Sequence, residues 1–458
     1  MADEDSRGAT VELSGRPYWN PEMETMAPDR VRVLEEAKLR RQLEYAWRTS
    51  PFYRRKWEDA GVDPRTVGHV QDLARLPFTE KRELQETQEA SPPVGANQCA
   101  PLDRLIRMQA TGGTTGRPLR MAMTRHDVEV YNEVGARAAW TAGLRPGDVL
   151  FECMNYSLYA GGVSDHMSFE TVGACVAPVG VGQSKRLLEI IRDMRIPVCL
   201  WSTPSYALHL ADVARGEGLE PSVLGIRKGF FSGDAGLAIP GYRADIEETW
   251  RMVARDLWGL GELGSLAAEC QYATGLHYVG QGLFVAELID PTSAEPLPLA
   301  DGAAGEMVVT TIDREAHPLI RFRTHDHVRV WLEPCACGRA GLRLQVLGRS
   351  DDMFIVRGVN VYPLAIQDII VGFRPQLTGE FQILLPEPPP ITSAPRLRVE
   401  YSESVGPEER EAVRARLARR IREVLVFTPA VDLLPPGSLG RTERKAKRLY
   451  RLYLGEQP

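Results

Sequence analysis

Apolar side chains recur at near-helical spacing through residues 31–60, with Leu34, Leu39, Leu43 and Trp47 set among charges. That spacing predicts a helical start to the chain. The run Ser50-Pro51-Phe52-Tyr53 interrupts it, because a residue that precedes proline is driven out of the helical region. From about residue 105 to 310 the pattern alternates. Short apolar runs such as Val149-Leu150-Phe151, Ala174-Cys175-Val176-Ala177 and Val198-Cys199-Leu200-Trp201 have the length and composition of buried strands. Helical stretches are expected at 127–142, 184–194 and 241–255. Such alternation predicts an α/β fold: a large N-terminal domain on parallel sheets. Residues 283–290, 305–312 and 327–332 then read as a β-rich subdomain without long helices.

A boundary is predicted near residues 347–352, dividing 1–348 from 349–458. Beyond it the units are short: a strand at 353–356, a helix near 363–372, strands at 380–385 and 396–401, a helix over 406–425 and a strand at 430–434. This describes a small α+β domain of about one hundred residues, a common domain size. The proline-rich segment 386–395 reads as a surface loop within it.

Composition narrows the function classes. The 458-residue chain is long enough for two or more domains. Its formal charge of −6 provides no global field for nucleic acid or an anionic membrane. No apolar run approaches the roughly 20 residues of a membrane span. The acidic stretch 1–14 lacks the basic-then-apolar order of a secretory signal. Seven cysteines, an odd count in so long a chain, do not make a disulfide framework, so a cytoplasmic setting is expected. Cys99, Cys153, Cys175 and Cys199 are scattered and read as packed thiols.

Candidate chemistry begins at Thr111-Gly112-Gly113-Thr114-Thr115-Gly116-Arg117-Pro118. Its glycines allow positive φ and close backbone approach to a ligand. The threonine hydroxyls and the Arg117 cation suit phosphate oxygens. The Gly-Lys-Ser/Thr ending of a Walker loop is absent. Alone, the run is equally a Gly/Thr turn. Four further segments follow it in order: Asp256-Leu257-Trp258-Gly259-Leu260-Gly261-Glu262, Arg321-Phe322-Arg323-Thr324-His325-Asp326, Gly348-Arg349-Ser350-Asp351-Asp352 and Arg441-Thr442-Glu443-Arg444-Lys445.

This ordered set resembles the adenylate-forming superfamily, which includes the acyl-CoA synthetases. Ser50-Pro51-Phe52-Tyr53-Arg54, Leu76-Pro77-Phe78-Thr79, Ile355-Val356-Arg357-Gly358-Val359-Asn360-Val361-Tyr362-Pro363 and Lys445-Ala446-Lys447-Arg448 are similar to the phenylacetate–CoA ligases. The likeness spans about residues 45 to 450. It implies the adenylate-forming fold, with a small mobile C-terminal domain. It also implies two steps: MgATP and an aromatic or arylacetic acid give acyl-AMP, and coenzyme A then displaces AMP.

The residue roles that follow are those the resemblance implies. The loop Thr111, Gly112, Gly113, Thr114, Thr115, Gly116 and Arg117 holds phosphate, with Gly112 and Arg117 departing from the usual pattern. Glu262 is the magnesium ligand, a hard oxygen donor of the kind that ion takes. Trp258 replaces a tyrosine that stacks on adenine, which an indole also does; it is equally a core tryptophan. Asp256 and Gly259 belong to the same ATP motif. Asp326 accepts from the ribose hydroxyls, Arg349 contacts ribose or phosphate, and Asp351 is the hinge. Lys445 bridges the carboxylate and the α-phosphate, offsetting two like charges. Arg444 stands where the family has glycine. Read without the resemblance, the basic run 441–451 is a solvated face or a nucleic-acid patch.

Ser232, Gly233 and Asp234 resemble the segment that borders adenine and acyl group, with Asp234 shorter than the usual glutamate. Tyr156, Tyr159, Gly161, Phe231 and Leu260 are the candidate acyl pocket. Cys270, His277, Cys335 and Cys337 form a Cys₃His set suited to structural zinc, and relatives of the phenylacetate ligases bind zinc through such segments. His325 and His327 read as surface histidines. Relatives are often homodimers. Two other readings stay open: transfer of the acyl group to an amine or a carrier-protein thiol, and a catalytically inactive, zinc-stabilised binding protein.

Overall fold

The computed structural model describes residues 15–111, 118–234, 236–356, 359–388, 391, 393–440 and 447–458. Helix Pro28–Thr49 stops where Ser50 turns extended, and Ser50 Oγ then accepts from Tyr53 N to cap helix Pro51–Asp59. The break expected at Ser50-Pro51 is therefore a cap for the second helix. Leu39, Leu43, Ala46, Tyr53 and Trp57 bury one face of this pair against Ile312 and Ile320.

Strands β1 (Arg107–Ala110) and β2 (Arg120–Met123) form an antiparallel hairpin in which Ala110 faces Arg120. The phosphate-loop candidate is the connection of that hairpin. Its residues 112–117 lie outside the described residues.

Five strands run parallel: β3 (Val149–Glu152), β4 (Cys175–Pro178), β5 (Val198–Ser202), β6 (Ile226–Phe231) and β7 (Val253–Leu260). Their spatial order is β4-β3-β5-β6-β7. Seven antiparallel strands follow: β8 (Gly264–Glu269), β9 (Leu276–Tyr278), β10 (Phe284–Ile289), β11 (Pro296–Leu297), β12 (Ala304–Thr311), β13 (Phe322–Trp331) and β14 (Arg343–Arg349). They continue the same sheet from β7 in the order β8-β9-β14-β13-β12-β10-β11. The parallel and β-rich halves are thus one twelve-stranded sheet. β7 joins them, parallel to β6 through residues 253–256 and antiparallel to β8 through 257–260.

This corrects the helix expected over 241–255. Helix Pro240–Trp250 ends at Arg251, which takes φ +51°, and the next residues are β7. The left-handed residue closes the helix and lets Met252 N reach Glu247 O.

Past Arg349 the sheet ends. β15 (Phe354–Val356) pairs with β16 (Val359–Val361). β17 (Leu377–Leu385), β18 (Arg396–Tyr401), β19 (Ala430–Leu434) and β20 (Leu449–Arg451) form a separate sheet, ordered β19-β18-β17-β20. Helices Pro363–Val371 and Arg410–Leu425 share with them a core running from Phe354 to Leu449. The second helix begins later than expected, because Gly406 N donates to Glu409 Oε2 in a turn ahead of it. Among the described residues no helix is long and apolar enough to cross a membrane.

Candidate active site

The turn between β7 and β8 carries Gly261 and Glu262. Gly259 is obligatory beside it, since a Cβ there would stand 2.2 Å from Gly264 O. Gly261 lies against the start of the phosphate-loop candidate: its Cβ would stand 3.2 Å from Thr111 Cγ2. Gln109 Nε2 donates to Gly261 O at 2.8 Å. Thr111 fixes the loop's mouth, its N–H donating to Leu119 O at 3.0 Å and its Oγ1 accepting from Leu119 N at 3.3 Å. So two motifs 150 residues apart in sequence meet at backbone level.

Glu262 is almost fully buried. Its Oε1 pairs with Lys81 Nζ at 2.9 Å, and its carbonyl oxygen accepts from Arg314 Nη1 at 2.7 Å. Arg314 is itself buried. Neither cation was named from the sequence. Lys81 lies two residues past Leu76-Pro77-Phe78-Thr79, a segment that by itself does not point to Glu262. Thr79 N donates to Arg321 O and Arg323 N to Thr79 O, which pins the segment on β13 beside the ribose motif.

Asp326, Trp258 and Arg349 also come together. Trp258 lies in the main core, and its indole N–H donates to Asp326 Oδ2 at 3.1 Å. Arg349 Nη1 donates to Asp326 Oδ1 at 3.3 Å. The same guanidinium holds Asp351 in a two-point fork, at 2.8 and 2.9 Å. The expected ribose acid and the expected hinge acid are therefore bridged by one arginine.

The neighbouring histidines, expected at the surface, are half-buried. His325 Nε2 lies 3.0 Å from Glu80 Oε2, its Nδ1 3.3 Å from Ser350 Oγ, and its carbonyl accepts from Ser350 N at 2.7 Å. Burial opposes its charge, yet Glu80, Glu306 and Asp351 outweigh that and hold its pKa above the ordinary histidine value. His327 stacks on Tyr362 with ring centroids 5.4 Å apart.

Ser232 N donates to Ser202 O, and Gly233 takes φ +90°. Asp234 Oδ2 accepts from Ser205 N and Oγ, at 3.3 and 2.7 Å, at the start of helix Pro204–Gly216. Among the described residues Asp256 pairs with no cation. Desolvation and the adjacent Glu269 push its carboxyl pKa well up.

Tyr159 precedes helix Ala160–Val172, and its ring lies along Gly161, where a Cβ would stand 3.0 Å from Tyr159 Cε1. The Tyr159 segment is paired to β1 through Ala110. Tyr156 Oη lies 2.8 Å from His166 Nδ1. Leu260 packs against the main core at the end of β7. Phe231 is placed elsewhere. Its side chain is fully buried in the second core, and its ring occupies the space a Gly229 side chain would need, 2.4 Å from the ideal Cβ.

Cys270 directly follows β8, His277 lies in β9, and Cys335 and Cys337 sit in the loop between β13 and β14. Their ligand atoms lie within 4.8 Å of one another. Cys270 and Cys335 sulfurs are 3.7 Å apart, and Cys337 Sγ is 3.4 Å from His277 Nε2. Four ligands at zinc bond lengths and tetrahedral angles stand about 3.4–3.8 Å apart, so the donor set and its spacing fit that ion. Arg343 Nη1 donates to Thr274 O and Oγ1, and Thr274 Oγ1 lies 3.6 Å from Cys335 Sγ, which steadies the cluster from outside. Lys445 lies outside the described residues.

Residues 358–451 match the AMP-binding enzyme C-terminal domain family. Over the whole chain, phenylacetate-coenzyme A ligase of Thermus thermophilus is 34% identical, the alignment covering 93% of this chain and 97% of that protein. The chain belongs to the phenylacetate–CoA ligase family. The family enzyme of Pseudomonas putida is 33% identical, covering 93% of this chain and 95% of that one. Among solved structures, 2-hydroxyisobutyryl-CoA ligase in the postadenylation state with 2-HIB-AMP superposes with a TM-score of 0.89 at 33% identity, covering 95% of this chain and 93% of that chain. The same ligase in its thioesterification state, with 2-HIB-AMP and CoA, gives 0.71 at 33% identity over 95% and 92%. This chain therefore superposes more closely on the postadenylation structure than on the thioesterification structure of that ligase.

Proposed function

We propose that this chain is an AMP-forming acid–thiol ligase that activates an aromatic or arylacetic acid and transfers it to coenzyme A. The observation that carries this reading is the meeting of Thr111, Gly261, Glu262 and Lys81 on one side and Trp258, Asp326 and Arg349 on the other. It occurs in a chain that aligns along almost its whole length with phenylacetate–CoA ligases.

In the first step a substrate carboxylate oxygen bonds to the α-phosphorus of ATP and pyrophosphate leaves. The enzyme must bring two anions together and stabilise charge on the α-phosphate. Thr111 and residues 112–117 are assigned to the phosphates, Glu262 to magnesium, Asp326 and Arg349 to the ribose, and Lys445 to the carboxylate and α-phosphate. Magnesium, held by Glu262, would neutralise phosphate charge. Lys81 supplies a second fixed cation beside Glu262. In the second step the thiol sulfur of coenzyme A bonds to the acyl carbon and AMP leaves. We assign residues 1–348 and 349–458 as the two domains and Asp351 as the hinge between them. Its fork with Arg349 ties the small domain to the ribose acid. Cys270, His277, Cys335 and Cys337 are assigned to a structural zinc, four protein ligands leaving no open position.

The solved 2-hydroxyisobutyryl-CoA ligase favours a second reading, a short branched hydroxy acid as substrate. Acid-dependent pyrophosphate release over benzoate, phenylacetate, indoleacetate and 2-hydroxyisobutyrate separates the two. Dominant turnover of the aliphatic acid would overturn the aromatic assignment.

A further inference from the structure

Two buried carboxyls flank the segment 155–162 in the sequence, and each has at least one oxygen without a donor among the described residues. Glu152 closes β3 and is fully buried. Its Oε1 accepts from Met154 N at 2.7 Å, while Oε2 has no hydrogen-bond partner among the described residues. Asp165, inside helix Ala160–Val172, is 6% exposed and forms no hydrogen bond or ion pair among the described residues. Its place well inside the helix keeps it away from the free N–H groups of the first turn. An aspartate there also disfavours the helix. Desolvation alone pushes its pKa up to about 7.

Geometry fixes the direction in which Asp165 lies. It stands four residues after Gly161, on the same helix face. The ring of Tyr159 covers that face at Gly161. Burial raises the pKa values of Tyr131, Tyr156, Tyr159 and Glu152, and the charge of Asp165 adds to each in the same direction. Burial, and after it the charges of Asp165 and Glu262, raise the Tyr159 pKa. The residue before Asp165 is tied to the turn that carries Glu262: Ser164 Oγ donates to Gln109 Oε1 at 2.5 Å, and Gln109 reaches Gly261. A buried carboxyl without a donor is costly, and native proteins keep one where a ligand or a reaction uses it.

We propose that Asp165, together with Glu152, is a specificity determinant: an acceptor floor that selects acids bearing an O–H or N–H donor remote from the reacting carboxylate. This rests on the acid–CoA ligase reading and names the substrate class within it. Para-hydroxyl and para-amino groups are the two donor forms, and a methyl ether of the same shape removes the donor.

The test measures kcat/KM for pyrophosphate release by the full-length chain. Its substrates are phenylacetate and the para-hydroxy, para-amino and para-methoxy analogues. One or both donor-bearing acids are expected to be favoured over the methoxy acid by about 10–100-fold, the range for a satisfied against an unsatisfied buried acceptor. In Asp165→Ala the ratio is expected to fall to within about threefold. Asp165→Asn keeps an acceptor oxygen and should retain part of the preference. Calorimetric binding of the hydroxy and methoxy acids to the unaltered protein repeats the comparison without any variant. Equal affinities there, or a ratio unchanged in Asp165→Ala, overturn the proposal and leave the ligase reading standing. No pyrophosphate release with any acid overturns both.

Discussion

The Lys81 ammonium stands 2.9 Å from the Glu262 carboxylate, and the glutamate side chain is only 5% exposed. A carboxylate this buried needs a compensating cation, and Lys81 provides it from a helix start more than 180 residues earlier. Glu262→Gln is expected to lower kcat for pyrophosphate release by about 10²–10³-fold. Lys81→Met should lower kcat/KM by about tenfold, through a weaker hold on the charged site. Steady-state kinetics with saturating magnesium check both, and an unaffected Lys81→Met enzyme would remove lysine from the site.

Arg349 bridges Asp326 and Asp351, so on the proposed assignments a change there should touch nucleotide binding and the thioester-forming step together. Arg349→Ala is expected to raise KM for ATP and slow thioester formation in the same enzyme. Trp258→Phe removes one donor to Asp326 and should cost about 1 kcal/mol, read as a roughly fivefold rise in KM for ATP. Normal ATP binding in both variants would detach this cluster from the nucleotide.

Much of this architecture was legible in the pattern of residues. The runs at Val149 and Val198 became β3 and β5, where uninterrupted apolar stretches suit strands covered on both faces, whereas the run at Ala174 became β4, an edge strand on which Cys175 is exposed rather than packed. Strand β7 was hidden, since Val253-Ala254-Arg255-Asp256 continues a helical spacing that only the left-handed Arg251 breaks. Ordered motifs pointed to Trp258, Glu262, Asp326 and Arg349. Lys81 and Arg314 were not legible, because their partners are far off in sequence and only the sheet brings them together. Phe231 shows the opposite failure: a motif position whose ring turns into the core over Gly229.

His325 sits between Glu80 and Glu306 with a raised pKa. Its imidazolium therefore contributes stability that is complete below the ordinary histidine value and is lost as pH rises through the raised one. Thermal unfolding of wild type against His325→Gln should show the wild type more stable at about pH 6, with the advantage gone by about pH 9. A difference that does not vary with pH would mean the pair is not titrating.

The Cys₃His cluster predicts about one zinc ion per purified chain. Cys335→Ser should lower both the metal content and the unfolding temperature, the latter by about 5 °C or more. Elemental analysis and calorimetry on the same samples check this. Full stability in a metal-free preparation would argue against a structural ion.

The most direct measurement is pyrophosphate release and thioester formation in one reaction, with ATP, magnesium, coenzyme A and a panel of aromatic acids. The expected result is pyrophosphate release that depends on acid, and an acyl-CoA product seen by mass only when coenzyme A is present. ATP consumption without either product, or an acyl-AMP that coenzyme A leaves untouched, would contradict the acid–CoA ligase assignment.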